Sequence, residues 1–282
     1  MFIFDKKTDL HKHLEGCYKS NNSIGFVPTM GALHQGHLSL LEKSLENNSI
    51  TVISIFVNPT QFNNPEDLEK YPRTLDNDVE KIKKVSDSII VYAPSVEDIY
   101  EGKTVSTHYD FDGLEHQMEG KFRPGHFDGV GTVVKRLFEI VNPTNAYFGE
   151  KDFQQLQIVK KLVEKEKLSV TIIGCPIYRE ANGLAMSSRN ERLSNVEREK
   201  ASIIYKTINK AKQLFGTKSA KEVSDFVSNT FKDNATFELE YFEIADEATL
   251  KSCKRKSKTK KYRAFIAVFV NKIRLIDTIS LN

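Results

Sequence analysis

The fold is decided by residues 24–37, which read Ile24-Gly25-Phe26-Val27-Pro28-Thr29-Met30-Gly31-Ala32-Leu33-His34-Gln35-Gly36-His37. The apolar start of this stretch predicts a strand, and leucines at 38, 41 and 45 predict a helix directly after it. Backbone N–H groups and the helix dipole favour anions where a strand leads into a helix N-terminus. His34 and His37 fall at this junction, so the stretch predicts a phosphate-binding turn.

The same alternation of strand and helix continues along the chain. Apolar, β-branched runs predict strands at 24–27, 50–57, 88–92, 145–148 and 169–173, and segments with helical spacing lie between most of them. The pattern predicts the α/β class: a Rossmann-like, mostly parallel sheet with helices on both sides. Residues 177–282 are expected to form a smaller α+β domain, with two helices in 195–232 and shorter strands in 237–277.

Composition limits the class of protein. The chain has 282 residues, 39% of them hydrophobic and 28% charged, with a net charge of +3. This balance is typical of an ordinary globular protein and gives no support for wholesale nucleic-acid binding. The three cysteines are far apart, the N-terminus lacks the order of a secretory signal, and no apolar run is long enough to span a membrane. We therefore expect a cytoplasmic protein without membrane or nucleic-acid partners.

The two histidines allow more than one interpretation. Imidazoles three residues apart, with Gly36 between them, can donate hydrogen bonds to a polyphosphate and to charge that develops at phosphorus, which favours an adenylate-forming enzyme. The same spacing can also belong to a capped surface turn or a weak metal site. Zinc fits less well, because this segment offers no further cysteine or histidine ligands.

Polar side chains follow the other predicted strands as well. Asn58 and Gln61 are neutral amides suited to a small polar substrate, although Asn58 before Pro59 is also typical of an amide-capped turn. Gly149 permits close ligand approach, Lys151 offers a mobile positive charge, and Asp152 can accept from ribose hydroxyls or simply cap a helix. The hydroxyls and guanidinium of 187–189 can surround distal phosphates.

A basic stretch near the C-terminus stands apart from these loops. Eight lysines and arginines lie within thirteen residues: Lys251, Lys254, Arg255, Lys256, Lys258, Lys260, Lys261 and Arg263. The stretch can be read as a nucleic-acid or phosphate patch. A solvated hairpin loop is the favoured interpretation, because no aromatic stacking residue is interleaved before Tyr262.

Taken together, these segments resemble the pantothenate synthetase family of ATP-dependent ligases. The resemblance rests on 28–37, 56–62, Tyr71-Pro72-Arg73-Thr74, Arg123-Pro124-Gly125-His126-Phe127, 148–152 and 183–190. It runs in order through most of residues 24–192 and thins afterwards to 241–246 and 274–277. It implies a nucleotidyltransferase-superfamily fold in which residues 1–176 bind ATP and pantoate and residues 177–282 form a C-terminal lid domain.

The resemblance also implies a reaction. Pantoate would attack the α-phosphorus of ATP to give pantoyl adenylate and pyrophosphate, and β-alanine would then displace AMP to give pantothenate. Mg²⁺ would accompany the ATP, and the protein would act as a cytoplasmic homodimer in pantothenate and coenzyme A biosynthesis.

Residue roles follow from the resemblance by position. His34, His37 and Lys151 would be catalytic, with His37 as proton donor. Pantoate would contact Met30, Gln61 and Gln155, and β-alanine would contact Gln61 and Asn58. No residue is assigned as a metal ligand. ATP would contact Met30, Gly31, Ala32, Leu33, His34, Gln35, Gly36, His37, Gly149, Glu150, Lys151, Asp152, Tyr178, Met186, Ser187, Ser188 and Arg189.

The chain departs from the family pattern at three places. Tyr178 stands where a small aliphatic residue is usual, which is harmless if only its main chain meets adenine. The expected acidic pair that aids magnesium reads Asn77-Asp78 here, which argues against a direct metal role. The basic stretch at 251–263 matches no feature of the family.

Two other functions remain open at this point. A different nucleotidyltransferase could share the histidine turn, but the amides at 58, 61 and 155 best match a hydroxy acid. A non-catalytic RNA-binding protein could use the basic stretch, in which case it would tolerate loss of both histidines and bind less tightly as salt rises.

Overall fold

The computed structural model describes residues 1–20 and 22–282. Its strands are β1 (Phe2–Phe4), β2 (Ile24–Thr29), β3 (Ile50–Ile55), β4 (Ile90–Tyr92), β5 (Asn145–Gly149), β6 (Thr171–Cys175), β7 (Phe237–Asp246), β8 (Tyr262–Val270) and β9 (Ile273–Ser280). Its α-helices are α1 (Lys7–Lys19), α2 (Gln35–Asn47), α3 (Pro65–Glu69), α4 (Leu75–Val85), α5 (Val96–Tyr100), α6 (Met118–Phe122), α7 (His126–Val141), α8 (Phe153–Glu166), α9 (Asn195–Lys200), α10 (Ser202–Phe215) and α11 (Ala220–Phe231). None of the helices in this described part is long and apolar enough to cross a membrane.

The first six strands form one parallel sheet. Their order is β1-β4-β3-β2-β5-β6, and β2 pairs in parallel with β3 on one side and β5 on the other. The strand order therefore changes direction between β2 and β5, the position at which ligands bind beyond the carboxyl ends of the strands in open α/β sheets. The predicted α/β class is confirmed.

Helices cover both faces of this sheet. The side chains of Phe26 and Val27 point to opposite faces because they are neighbours on β2. Phe26 contacts the ring of Phe138 on α7, with 6.2 Å between the centroids. Val27 instead lies in a buried cluster with Leu41 of α2 and Ile82 of α4. The centre of the sheet is thus closed to water, and only the strand ends remain for a ligand.

A second, antiparallel sheet has the order β7-β8-β9. α10 and α11 bury their apolar stripes in one cluster with it, including Ile208, Val227 and Ile266. The start of α11 follows from local sequence, since Ser219 and Glu222 form a reciprocal capping box. The smaller α+β region that the sequence predicts is present.

The chain separates into two compact units. Unit 1 comprises Met1–Glu115, Gly120–Gly149 and Gln155–Cys175, and unit 2 comprises His116–Glu119, Glu150–Gln154 and Pro176–Asn282. Two short segments from the first part of the sequence therefore pack with the C-terminal part. The predicted boundary after residue 176, which concerns independent domains, stays a prediction.

Some element predictions were wrong. Region 195–232 holds three helices rather than two, because the chain tightens at Ala201, whose carbonyl accepts from the N–H of Ile204 three residues on. Strands β7 to β9 are ten, nine and eight residues long, not shorter than the others. Polar residues on the outward face of an antiparallel sheet interrupt the apolar runs, so the strands look shorter in the sequence than they are in the structure. The sequence did not predict the edge strand β1, because three residues are too few to show the alternating polar and apolar pattern of a strand.

Candidate active site

The turn after β2 places both histidines at the start of α2. Gly31 and Ala32 adopt left-handed backbone conformations, with φ of 81° and 50°, and His34 is the N-cap of the helix. Left-handed conformations are costly for residues other than glycine, so Ala32 must be held in place by its surroundings. The predicted helix start at this point is present.

The two imidazoles lie against each other. Their ring centroids are 4.0 Å apart with 22° between the planes, and both side chains are half-buried. The backbone N–H of His34 donates to Nδ1 of His37 across 3.4 Å. Because Nδ1 accepts, the proton of a neutral His37 ring lies on Nε2, which can then donate to an anion at the helix N-terminus.

A buried carboxylate holds the turn from α4. Asp78 has no solvent exposure, and its oxygens accept from the backbone N–H groups of Ala32 at 2.9 Å and Leu33 at 2.7 Å. In the sequence, Asp78 stands out only as part of the Asn77-Asp78 pair that argues against a direct metal role. Its bonding shows that it belongs to the support of the histidine turn.

The loop after β3 brings two of the predicted pantoate residues together. Nε2 of Gln61 lies 3.0 Å from Sδ of Met30, and Oε1 of Gln61 accepts from Nδ2 of Asn58 at 3.1 Å. Asn58 is only 1% exposed, and its Oδ1 accepts from the backbone N–H of Thr60. The amide-capped turn that the sequence allowed at Asn58 is therefore present, and Asn58 orients Gln61.

Further support for this loop comes from residues to which sequence analysis gave no role. Nδ1 of the buried His126 lies 2.9 Å from the carbonyl oxygen of Gln61, and the amide of Asn58 donates to the carbonyl of Gly129. A Cβ on Gly129 would lie 2.3 Å from the carbonyl oxygen of Thr60. A glycine inside an otherwise apolar helix was the available signal of such close backbone approach.

Tyr100 completes the surroundings of Asn58. Its hydroxyl donates to Oδ1 of Asn58, and burial raises the pKa of Tyr100 above its ordinary value. The hydroxyl therefore stays protonated and remains a donor at neutral pH.

β5 ends at Gly149, next to open space. A Cβ added to Gly149 would meet no atom within 4 Å, which agrees with the expectation that a ligand can approach the backbone closely there. Gln155, the third predicted pantoate residue, is half-buried in the first turn of α8. Unit 1 thus holds the histidine pair, Met30, Gln61, Gly149 and Gln155.

Unit 2 carries the predicted catalytic lysine. Lys151 lies in a short 3-10 helix, Glu150–Asp152, and its ammonium is 3.6 Å from Oδ2 of Asp152. The neighbouring Glu150 pairs with Arg263 of β8 at 3.2 Å. The guanidinium of Arg263 also stacks on the ring of Phe153 at 3.9 Å, so one buried arginine holds the segment on both sides of Lys151.

A tight hairpin precedes the hydroxyl-rich loop. The N–H of Met186 donates to the carbonyl of Tyr178 at 3.0 Å, and the N–H of Glu180 donates to that of Leu184 at 2.9 Å. Gly183 at the turn has φ of 92°, and a Cβ there would strike the ring of Tyr205. These constraints make glycine necessary at position 183.

An ion pair anchors this hairpin. Arg179 makes a two-pronged contact with Asp277, with distances of 2.7 and 3.0 Å, and its guanidinium lies 4.1 Å from the centroid of Tyr205. The side chain of Asp277 is only 2% exposed. Planar arginine is suited to this combination of bidentate pairing and stacking.

The loop itself leaves its polar groups partly accessible. Met186, Ser187, Ser188 and Arg189 are half-buried. The hydroxyl of Ser187 accepts from the N–H of Arg189 at 3.2 Å, whereas Asn190 is buried and donates to Glu180 and to the carbonyl of Ala185. Tyr178 is exposed. The contacts predicted here with ATP stay predictions.

The described residues contain no group of three or more His, Cys, Asp or Glu side chains that could hold a metal ion. Asp78, the acidic residue that the resemblance connects with magnesium, has both oxygens in hydrogen bonds to backbone N–H groups. These residues do not fit an all-protein magnesium cage.

Comparison with known proteins decides the family. The family model described as Pantoate-beta-alanine ligase matches residues 2–280. The chain is 69% identical, over the full length of both proteins, to the pantothenate synthetase of Flavobacterium psychrophilum. The chain belongs to the pantoate-beta-alanine ligase family. The predicted family and enzyme class, a ligase of pantothenate biosynthesis, are thereby confirmed.

Solved structures of this ligase family share the fold. The pantothenate synthetase of Thermus thermophilus is 36% identical and superposes with a TM-score of 0.91, covering 100% of this chain and 99% of the other. The pantoate-beta-alanine ligase of Francisella tularensis, crystallised as a complex with beta-gamma ATP and beta-alanine, is 35% identical with a TM-score of 0.81, covering 100% and 98%.

Proposed function

We propose that this ligase condenses pantoate with β-alanine through a pantoyl adenylate and releases pyrophosphate and AMP. The observation that carries the proposal is the stacked pair of His34 and His37 at the N-terminus of α2. Two ring N–H groups beside a helix N-terminus suit an enzyme that stabilises charge on phosphate oxygens. An activating step is chemically necessary, because a free carboxylate is a poor acyl donor.

In the first step, a carboxylate oxygen of pantoate attacks the α-phosphorus of ATP and the bond to the β-phosphate breaks. Negative charge builds on the phosphate oxygens as pyrophosphate leaves. Nε2–H of His37 donates to these oxygens, and His34 and Lys151 add stabilisation. Such preorganised donors act mainly on the transition state.

In the second step, the amine of β-alanine attacks the acyl carbon and AMP leaves. Met30, Gln61 and Gln155 hold the hydroxy acid, and Gln61 places the amine. Asn58 acts on the amine through Gln61, since its own amide is committed to internal bonds. Neutral amides suit this substrate, because adenylation itself removes the negative charge of the pantoate carboxylate and the pocket does not have to neutralise it.

The nucleotide is assigned to several segments. Residues 30–37 and Glu150 contact ATP, with His34 and His37 at its phosphates, and Gly149 and Asp152 hold the ribose. The main chain at Tyr178 meets adenine, and 186–189 close over the β- and γ-phosphates. The Francisella tularensis relative, which binds beta-gamma ATP and beta-alanine, supports these ligands for the present chain. Mg²⁺ carried by ATP would supply charge neutralisation at the phosphates.

The proposal includes a cytoplasmic homodimer, which the family resemblance implies. Light scattering coupled to size-exclusion chromatography tests the oligomeric state, with twice the chain mass of 32.2 kDa as the expected result.

Isotope exchange between pyrophosphate and ATP tests the adenylate directly. With pantoate present and β-alanine absent, labelled pyrophosphate should enter ATP; without pantoate, it should not. Adding β-alanine should then give AMP and pantothenate in equal amounts. Lactate, a hydroxy acid with a shorter chain, is the control substrate and should support far less exchange.

Two results would contradict the proposal. Formation of ADP and phosphate in place of AMP and pyrophosphate would indicate an acyl phosphate. Equal exchange with lactate and with pantoate would contradict pantoate as the specific substrate, although it would still support adenylation of an acid.

A further inference from the structure

We propose that Asp78 is a positioning residue of this ligase: its buried carboxylate, supported by Lys81, fixes the peptide that precedes His34 and so sets where both imidazoles stand. The inference rests on the proposed function, because it assigns the purpose of the contact to catalysis. Asp78 acts through the backbone of the turn, to which its carboxylate oxygens are bonded.

One carboxylate accepts hydrogen bonds from the N–H groups of two successive peptides. Oδ2 of Asp78 accepts from the N–H of Ala32 at 2.9 Å, and Oδ1 accepts from the N–H of Leu33 at 2.7 Å. Successive N–H groups converge on one anion where the backbone enters the left-handed region, as at Ala32. The carboxylate therefore stabilises a backbone conformation that is costly for Ala32.

The carbonyl side of Leu33, in the next peptide, is also held. The ammonium of Lys81 donates to the carbonyl of Leu33 at 2.6 Å, and the hydroxyl of Thr74 donates to Oδ2 of Asp78 at 3.2 Å. Thr74, at the N-cap of α4, and residues 78 and 81 within it are four and three apart, which places them along one face of the helix. Leu33 is thus fixed at both its N–H and its C=O, immediately before His34.

Space around the turn is equally restricted. A Cβ on Gly31 would lie 3.1 Å from Oδ2 of Asp78 and 3.1 Å from Cγ2 of Ile55. The carboxylate therefore fits closely under the turn, and Asp78 itself is fully buried. A hydrated divalent cation would have to enter a position that is closed to solvent and in which three donors already bond the oxygens of Asp78.

Positioning of this kind acts on the transition state. A displacement of about 1 Å at catalytic groups can lower the rate about a hundredfold. Pantoate, by contrast, is assigned to Met30, Gln61 and Gln155, which lie outside the pair of peptides that Asp78 holds. A positioning role therefore predicts a fall in kcat with little change in KM for pantoate, whereas loss of folded protein would lower the yield of active enzyme and leave both constants unchanged.

The decisive variant is Asp78→Asn, because asparagine keeps the size and shape of the aspartate side chain. One amide oxygen replaces one acceptor, but the NH₂ group then faces a backbone N–H, so one of the two bonds is lost. We expect kcat to fall about 10- to 100-fold and KM for pantoate to stay within about twofold. Asp76→Asn is the matched control, since Asp76 is exposed on the same helix and loses the same charge; its kcat should stay within about twofold.

Lys81→Met provides a second route if Asp78→Asn folds poorly. It removes only the bond to the carbonyl of Leu33 and keeps the length of the side chain. We expect kcat to fall about three- to tenfold, less than in Asp78→Asn, because the two N–H bonds remain.

Hydrogen–deuterium exchange read by mass spectrometry separates this inference from the proposed function. The peptide that contains residues 30–34 should exchange faster in Asp78→Asn and Lys81→Met than in the wild type, and at the wild-type rate in Asp76→Asn. Unchanged exchange in both test variants would overturn the inference, whatever the activity. Absence of pantoate-dependent exchange of pyrophosphate into ATP in the wild type would instead end the proposed function.

The concentration of Mg²⁺ distinguishes the remaining explanation. If Asp78 were a metal ligand, raising Mg²⁺ about tenfold should restore the activity of Asp78→Asn by mass action, and that result would overturn the positioning role. We expect the loss in kcat to be the same at every Mg²⁺ concentration.

Discussion

The histidine turn of unit 1 and the Lys151 segment of unit 2 are held in place by different means. A carboxylate on α4 grips the backbone of the turn through two peptide N–H groups. The segment at 150–154 is held through side chains instead, by the ion pair of Arg263 with Glu150 and its stacking on Phe153. Hydrogen bonds to the backbone fix the backbone conformation of a segment. Ion pairs between side chains mainly fix which elements pack against that segment.

Arginine recurs in unit 2. Arg179 pairs with Asp277 beside the hairpin at 178–186, and Arg274 joins Glu119 to Glu240. Each pair connects a strand of the antiparallel sheet to a segment distant in sequence. Changes in the turn should therefore affect kcat more than stability, whereas changes in the arginine pairs should affect both.

Substitution of His37 by alanine should give the largest loss. Removing one preorganised donor lowers kcat by about 10²- to 10³-fold, while the loss of its bond to the N–H of His34 lowers the free energy of unfolding by about 1 kcal/mol at most. Steady-state kinetics and urea unfolding of the same preparations measure the two effects.

His37→Gln sharpens this test, because glutamine keeps an N–H donor at a similar reach. Its kcat should lie between those of the wild type and His37→Ala. A fall in activity that only follows the fall in folded protein would favour the alternative in which the histidine pair merely caps α2.

The ion pair of Arg179 and Asp277 should give the largest loss of stability. Arg179→Met leaves the nearly inaccessible carboxylate of Asp277 without its partner, which costs about 3–5 kcal/mol. Urea unfolding should show this loss, and kcat should fall with it because the hairpin before residues 186–189 loses its anchor.

The double variant Arg179→Met with Asp277→Asn is the matched control. It removes the uncompensated charge, so it should recover part of the lost stability. Recovery of stability without recovery of kcat would show that the arginine also orients the loop. No recovery at all would show that stacking on Tyr205 outweighs the ion pair.

Arg263 should give a smaller effect, again on both kcat and stability. Arg263→Met removes both the pair with Glu150 and the cation above Phe153, and we expect kcat to fall about tenfold as Lys151 loses its fixed position. Arg263→Lys should not restore it, because an ammonium can neither stack nor pair with both Glu150 and Glu247 in the same way. Lys261→Met, at a neighbouring exposed position, should leave kcat unchanged.

Much of the sheet could be predicted from the sequence, because buried parallel strands read as continuous apolar runs. β2, β3 and β5 begin at the predicted residues. β6 was predicted from 169 and is observed from Thr171, because its pairing with β5 begins only where Asn145 lies opposite Thr171. β1 has only three residues and draws its stability from pairing with β4, a contact distant in sequence.

The residues that hold the candidate site in place were less predictable from the sequence than the residues assigned to contact its substrates. His34, Gln61 and Lys151 belong to local motifs, which sequence alone displays. Asp78 contacts the turn from 45 residues away along the chain, and only the packing of α4 against α2 brings it there. Residues that act through tertiary contacts carry no local pattern, so they become visible only in the folded chain.

The basic stretch should give the smallest effect of all. Lys256 donates to the carbonyl of Phe215 at the end of α10 and to that of Lys218. Lys260 pairs with Asp246 and Arg263 is buried, so part of the stretch already serves the fold. Replacing the exposed Lys254, Arg255 and Lys258 together by alanine should change the free energy of unfolding by about 0.5 kcal/mol or less. Titration with single-stranded RNA at two salt concentrations tests the rival role. Tight, salt-sensitive binding that the triple variant loses would give this hairpin a function of its own, whereas binding that is equally weak in both proteins would leave it a solvated loop.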